Sequence, residues 1–118
     1  GVLREDDRVE LVDGEIVEMA PAGSRHAAVV TRVSTVFFHQ VGEAAIVSVQ
    51  NPLRLGDLSE PEPDLMVLRP RDDFYSGAHP TASDVLLLVE VADSSALYDG
   101  EEKAHLYARS GVPEYWMV

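Results

Sequence analysis

Residues 85–91, VLLLVEV, place one carboxylate, that of Glu90, within an otherwise aliphatic segment. A short, unbroken run of branched apolar side chains is typical of a central β-strand that is covered on both faces. Because an unpaired buried charge is strongly unfavourable, Glu90 needs a compensating group. A metal ion, a cationic side chain or a shared proton would serve, and the rest of the chain must supply or bind it.

The composition bounds what the chain can be. With 118 residues and 46% hydrophobic residues, it is expected to form a single domain over residues 1–118. The absence of cysteine excludes disulfides and thiolate metal sites. No apolar run is long enough to span a membrane and no signal peptide is recognisable, so a cytoplasmic location is expected. The chain ends within an aromatic segment, so we expect the domain to continue beyond Val118.

A β-hairpin is predicted at the start of the chain. Residues 8–12 and 15–19 alternate around Asp13-Gly14, a dipeptide that suits the positive φ angles of a two-residue hairpin turn. Pairing across this turn sets Glu15 opposite the last residue of the first strand.

The faces of this hairpin mix carboxylates with apolar side chains. Glu15 shares a face with Val17 and Met19, so it is predicted to point inward. Glu10 and Glu18 are predicted to be solvated, as most strand carboxylates are.

An amphipathic helix is predicted over residues 24–41, after a break at residues 21–23. Ser24 is the predicted N-cap and Gly42 the end of the helix. The apolar stripe consists of Val30, Val33, Phe37 and Val41. His26 lies one turn before this stripe and is either a hydrogen-bonded core residue or a ligand.

The remaining elements follow from apolar runs bounded by turn signals. Asp99 and Glu102 are spaced as a capping box for the second helix. Residues 69–84 form the longest irregular stretch and are predicted to be a surface loop. The predicted strands are 44–50, 64–68, 85–91 and 114–118, the proline-rich connection is 59–63, the turn is 92–95 and the second helix is 99–110.

Two carboxylates are predicted to meet on this scaffold. Asp64 begins one strand and Glu90 lies near the end of the next long one, so antiparallel neighbours would bring both to the same end of the sheet. Two such groups do not both ionise without a compensating cation. Oxygen ligands with open coordination positions suit Mg²⁺ or Mn²⁺, so Asp64 and Glu90 are the predicted metal ligands.

Pro63-Asp64, followed by Glu90 in an apolar strand, matches the pattern P-D…(D/E)-x-K except at its lysine. In this pattern, and in the order helix, three strands, helix, strand, the chain resembles the restriction endonuclease-like superfamily. Four fragments further resemble the Uma-type restriction endonuclease family: LVDGE at 11–15, PD at 63–64, VEV at 89–91 and GVPEYW at 111–116. The resemblance implies an α/β (α+β) fold with a mixed sheet, here preceded by the hairpin. Restriction-type enzymes that the chain resembles often form dimers, so a homodimer is one alternative, while the sequence itself does not indicate the oligomeric state.

The chain departs from this signature at one position. Ala92 stands where the signature has its lysine, and Lys103 is the only lysine in the chain. The resemblance implies that Lys103, in the next helix, takes the place of the missing lysine. The alternative role for Lys103 is an exposed ion pair with Asp99, one turn earlier.

The function expected from the resemblance is Mg²⁺- or Mn²⁺-dependent hydrolysis of DNA phosphodiester bonds. Asp64 and Glu90 would hold the metal and Lys103 would orient water or stabilise charge on the phosphate. Glu15, as a further metal ligand, and His26, as a contact to phosphate or to a ligand, are second-rank candidates.

The alternative is a catalytically inactive nuclease-fold domain that acts as a scaffold. The net charge of −12 favours this alternative, because a strongly negative protein repels nucleic acid and binds it poorly without specific contacts. A local arginine patch would offset that charge, and its candidates are Arg25, Arg32, Arg54, Arg69 and Arg71. The sequence lacks a glycine-rich phosphate loop, a serine-hydrolase elbow and histidines at zinc-ligand spacing, which argues against those classes of site.

Overall fold

The computed structural model describes residues 9–18, 23–92 and 96–118, and it describes the side chains of the second helix from residue 101 onward. The elements are β1 (Val9–Val12), β2 (Glu15–Glu18), α1 (Ser24–Val41), β3 (Ile46–Val49), β4 (Leu65–Leu68), a short 3₁₀ helix (Ala82–Asp84), β5 (Val85–Glu90), α2 (Ala96–Arg109) and β6 (Tyr115–Met117). Met19, the predicted break at residues 21–22 and most of the predicted turn at 92–95 lie outside the described residues.

A four-stranded mixed sheet forms the centre of the domain, in the order β3-β4-β5-β6. β3, β4 and β5 are antiparallel neighbours, and β6 runs parallel to β5. Every residue of β4 is buried, as are all but one of β5. The prediction of a doubly covered central strand at 85–91 and of an α+β fold with a mixed sheet is therefore confirmed.

Alternate side chains of the central strands supply two apolar layers, because successive residues of a strand point to opposite faces. One layer packs with the stripe of α1 and comprises Leu65, Val67, Leu87 and Val89, with Val33, Phe37 and Val41 from the helix. The other packs with α2 and comprises Leu53, Met66, Leu68, Val85, Leu88, Tyr107 and Val112. The two helices thus lie on opposite faces of the sheet.

The hairpin has the predicted register, with Glu10 opposite Val17 and Val12 opposite Glu15. Its turn places Asp13 at φ 49° and Gly14 at φ 82°, which is the left-handed region that this turn requires. The backbone of Leu11 pairs with that of Glu60, so β1 is anchored to the proline-rich connection. β2 lies on the outside and its residues are exposed.

Both helices differ from prediction at their starts. The N-cap of α1 is Gly23 and not Ser24, which is already helical. α2 begins at Ala96, so Asp99 lies inside the helix and the predicted capping box is wrong; the side chain of Asp99 lies outside the described residues. Within the described part of the chain, neither helix combines the length and apolar character that crossing a membrane requires.

Candidate functional site

Asp64 and Glu90 meet at one end of the central sheet. Leu65 pairs with Val89 in the antiparallel ladder, so the residue before β4 lies beside the last residue of β5. Both side chains are buried, with Asp64 5% and Glu90 8% exposed. The predicted convergence of these two carboxylates is confirmed.

The Glu90 carboxylate accepts a hydrogen bond from the backbone of Asp64. The Asp64 carboxylate in turn accepts one from the backbone of Val91, the residue after Glu90. The N–H of Asp64 donates to Oε1 of Glu90 at 3.2 Å, and the N–H of Val91 donates to Oδ2 of Asp64 at 2.8 Å. Both N–H groups lie at strand ends, where the ladder does not satisfy them. The backbone therefore orients the two acidic side chains at a fixed place.

Lys103 enters the site from α2. Its Nζ donates to Oε2 of Glu90 at 3.2 Å and to Oε1 of Glu10 at 3.1 Å. Ala92, at the position of the signature lysine, is exposed. The lysine available to Glu90 is thus the one that follows on the next helix.

Glu10 is the carboxylate of the hairpin that faces the interior, with 3% exposure, whereas Glu15 is exposed. The prediction that Glu15 points inward and Glu10 outward is therefore wrong. The reason is that the hairpin turns the Glu10 side of β1 towards α2, while β2 stays outside. The structure does not bring Glu15 to the site.

His26 and Gln50 both approach Asp64 from other elements. Nε2 of His26 lies 3.1 Å from Oδ1 of Asp64, and Nε2 of Gln50 lies 3.5 Å from the same oxygen. Sequence reasoning missed Gln50, although antiparallel pairing of β3 with β4 would have placed it opposite Asp64. Gln50 also has φ 53°, a left-handed conformation that is uncommon for a non-glycine residue.

The electrostatics of the site are dominated by burial and by an excess of carboxylates. Burial raises the pKa of Glu90 to about 7, and the negative charges of Asp64 and Glu10 act in the same direction, against the opposing effect of Lys103. Burial lowers the pKa of Lys103, but the charges of Glu90 and Glu10 outweigh it and raise that pKa overall. Lys103 therefore stays protonated, while Glu90 exchanges its proton near neutral pH.

Two tyrosines, Tyr107 and Tyr115, pack against each other near Lys103. Tyr107 follows Lys103 by one helical turn and is fully buried, and its ring lies 5.3 Å from that of Tyr115. Burial raises the pKa of the Tyr107 hydroxyl, and burial followed by the charge of Glu90 raises the pKa of Tyr115 to about 12. Both hydroxyls are neutral at ordinary pH, so the two tyrosines add no charge to the site.

The donor set fits a divalent cation. Asp64, Glu90 and Glu10 are three carboxylates beside one ammonium, so two negative charges remain when all are ionised. Asp64 and Glu90 are the pair that would hold the ion, as hard oxygen donors of the kind Mg²⁺ and Mn²⁺ prefer. Among the side chains that the structure describes, in residues 9–18, 23–92 and 101–118, no three His, Asp or Glu side chains are grouped as metal ligands.

Comparisons with known proteins identify the family and the fold of the chain. The family model described as Uma2, putative restriction endonuclease, matches residues 3–118. A putative nuclease belonging to DUF820 from Anabaena variabilis has a similar crystal structure, with a TM-score of 0.75 and 14% sequence identity. The match covers 99% of this chain and 69% of that one, and it shows the fold. No curated protein matches the chain.

Proposed function

This chain belongs to the Uma2 family of putative restriction endonucleases, and from that premise we propose that it hydrolyses phosphodiester bonds of DNA with the help of Mg²⁺ or Mn²⁺. The observation that supports this most directly is the meeting of Asp64, Glu90 and Lys103 at one end of the sheet. Two buried carboxylates can hold a metal ion that activates water for phosphodiester hydrolysis, and a nearby ammonium can stabilise the charge that develops on the phosphate.

Asp64 and Glu90 would hold the cation, and each is oriented for that by a backbone N–H. When bound, such an ion polarises a phosphate and lowers the pKa of a coordinated water. The hydrogen bonds of His26 and Gln50 to Asp64 hold that carboxylate in place from the other side.

Lys103 contributes a positive charge next to the reacting groups. Its side chain is long, and its charge is maintained by Glu90 and Glu10. We assign it the stabilisation of the negative charge that develops on the phosphate during hydrolysis. Because that charge is largest in the transition state, the loss of Lys103 should lower kcat more than it raises KM.

DNA affinity must be concentrated near the site, because the chain carries a net charge of −12. Arg69 and Arg71 follow β4 and lie at the opposite end of the sheet, where Arg71 is paired with Asp73. Arg25 is exposed and precedes His26 on α1. We therefore assign the binding of DNA phosphates near the site to Arg25 of α1, and not to the arginines of the loop after β4.

A plasmid-nicking assay with Mn²⁺ tests this proposal. The parent protein should cleave, EDTA should abolish cleavage, and Asp64→Asn and Glu90→Gln should each lower the rate at least a hundredfold. Glu18→Gln is the matched control, since it removes the same charge from an exposed position. Cleavage that survives both site variants would refute the proposal.

A second candidate function is that of an inactive scaffold domain. Its support is that Lys103 already forms ion pairs with two of the three buried carboxylates, Glu10 and Glu90. Isothermal titration with Mn²⁺ separates the two, since a scaffold of this kind would show no binding that depends on Asp64 or Glu90.

A further inference from the structure

The ammonium of Lys103 is shared between two carboxylates of different character. Glu90 is a proposed metal ligand on the central sheet, whereas Glu10 belongs to the hairpin. Within the part of the chain that the structure describes, the ion-pair partner of Glu10 is Lys103. Glu10 is thus buried at a place where its charge acts on Lys103.

This sharing matters when a divalent cation binds. A cation held by Asp64 and Glu90 competes with the ammonium for the same Glu90 carboxylate, and the two positive charges repel each other. A lysine held by Glu90 alone would then leave the site. With Glu10 at 3.1 Å, the ammonium has a second carboxylate that the cation does not use.

The hairpin is well placed to keep Glu10 there. Arg109 of α2 donates to both carboxylate oxygens of Asp13, at 2.6 Å each, so the hairpin contacts α2 at two points. Glu10 lies within β1, and Asp13 lies in the turn that follows it. Along α2, Lys103 and Arg109 are separated by about 9 Å. The two ion pairs therefore connect the hairpin to α2 at two separate places, with the Glu10 pair buried and the Asp13 pair exposed.

Resting on the function proposed above, we propose that Glu10 is the positioning residue of Lys103, which retains the ammonium beside the reacting phosphate when a divalent cation occupies Glu90. Glu10 does not itself bind the cation. It acts through Lys103, and its removal should matter only when Lys103 is present.

The first test uses the fact that Lys103 is the only lysine. The full chain is prepared with ¹³C,¹⁵N-labelled lysine, so that one side-chain NMR signal reports on this residue. Mg²⁺ is titrated in without DNA. In the parent the signal should shift and stay distinct from that of a free lysine, whereas in Glu10→Gln it should move to the free-lysine position at saturating Mg²⁺.

The outcomes separate the inference from the function on which it rests. If the parent signal does not respond to Mg²⁺, the cation site and the inference both fail. If it responds and Glu10→Gln behaves as the parent does, only the inference fails. Glu10→Asp, one methylene shorter, should give an intermediate result and replaces Glu10→Gln if that variant does not fold.

A double-mutant cycle on Mn²⁺-dependent cleavage is the second test. Glu10→Gln should lower kcat by about 10- to 100-fold, as loss of a supporting partner does at metal sites, with KM nearly unchanged. In a Lys103→Ala background the same substitution should have no further effect. A weaker Mn²⁺ affinity caused by Glu10→Gln in that background would identify Glu10 as a metal ligand and would overturn the inference.

Discussion

The backbone N–H of Asp64 donates a 3.2 Å hydrogen bond to Oε1 of Glu90, and this bond does not depend on the side chain of Asp64. Glu90 therefore keeps its orientation when Asp64 is changed to Asn. The reverse bond, from the N–H of Val91 to Asp64, likewise does not involve the Glu90 side chain. Amide substitutions at these two positions thus test charge with little disturbance of the fold.

The stability of the metal-free protein should depend on the protonation of Glu90. Its pKa is raised from 4.5 to about 7 in the folded state, so the proton binds the folded state more tightly than the unfolded one. The stabilisation is fully present below about pH 4.5 and is lost as pH rises through about 7, with a total of up to about 3 kcal/mol. Urea unfolding in EDTA from pH 4.5 to 8 measures it. Glu90→Gln should remove this dependence, and an unchanged slope would contradict the assignment.

Cation affinity should rise over the same pH interval, because the ion needs the ionised form of Glu90. With a pKa of about 7, Mn²⁺ should bind roughly tenfold more tightly at pH 8 than at pH 6. Isothermal titration at the two pH values, in buffers of different ionisation enthalpy, also counts the proton released. Equal affinities at both pH values would argue against Glu90 as a ligand.

Removing Lys103 should destabilise the metal-free protein. Lys103→Ala leaves Glu10 and Glu90 without their shared cation, and breaking a buried ion pair costs about 3–5 kcal/mol. The loss should be smaller at pH 6 than at pH 8, since Glu90 can take up a proton instead. Lys103→Met serves as the control for packing of the side-chain stem, and it should lose nearly as much stability at pH 8.

The hairpin turn should tolerate Asn but not Ala at position 14. Gly14 has φ +82°, a conformation that costs a non-glycine residue about 1–3 kcal/mol, and Asn is among the residues that accept it best. Gly14→Ala should therefore lower the unfolding free energy by about 1–2 kcal/mol and Gly14→Asn by clearly less. If the two variants are equally stable, the turn does not hold this conformation in solution.

The central strand should carry a large share of the stability. Leu88 is 0% exposed in the apolar layer between the sheet and α2, so Leu88→Ala should cost about 2–5 kcal/mol. Leu58 is 63% exposed, and Leu58→Ala should stay within about 0.5 kcal/mol of the parent. Chemical denaturation of both variants measures the loss of unfolding free energy in each. Similar losses for the two variants would mean that the burial pattern is wrong.

Much of the framework could be read from residue patterns. The alternation around Asp13-Gly14 determined the hairpin and its register, and the aliphatic run at 85–91 determined a strand buried on both faces. The meeting of Asp64 with Glu90 follows from the same patterns, because antiparallel neighbours bring the start of one strand to the end of the next. These features depend on local periodicity and on the order of the elements, which a sequence contains.

Only the tertiary structure decided which carboxylate of the hairpin is buried and what Lys103 contacts. Alternation shows which residues share a face of a strand, but not which face packs against another element. The burial of Glu10 in place of Glu15 depends on how the hairpin docks on α2. Gln50 lies opposite Asp64 across the β3–β4 pair, and its backbone there is left-handed, which no local pattern indicated. Such contacts join parts of the chain that are distant in sequence, so packing and the compensation of buried charge determine them.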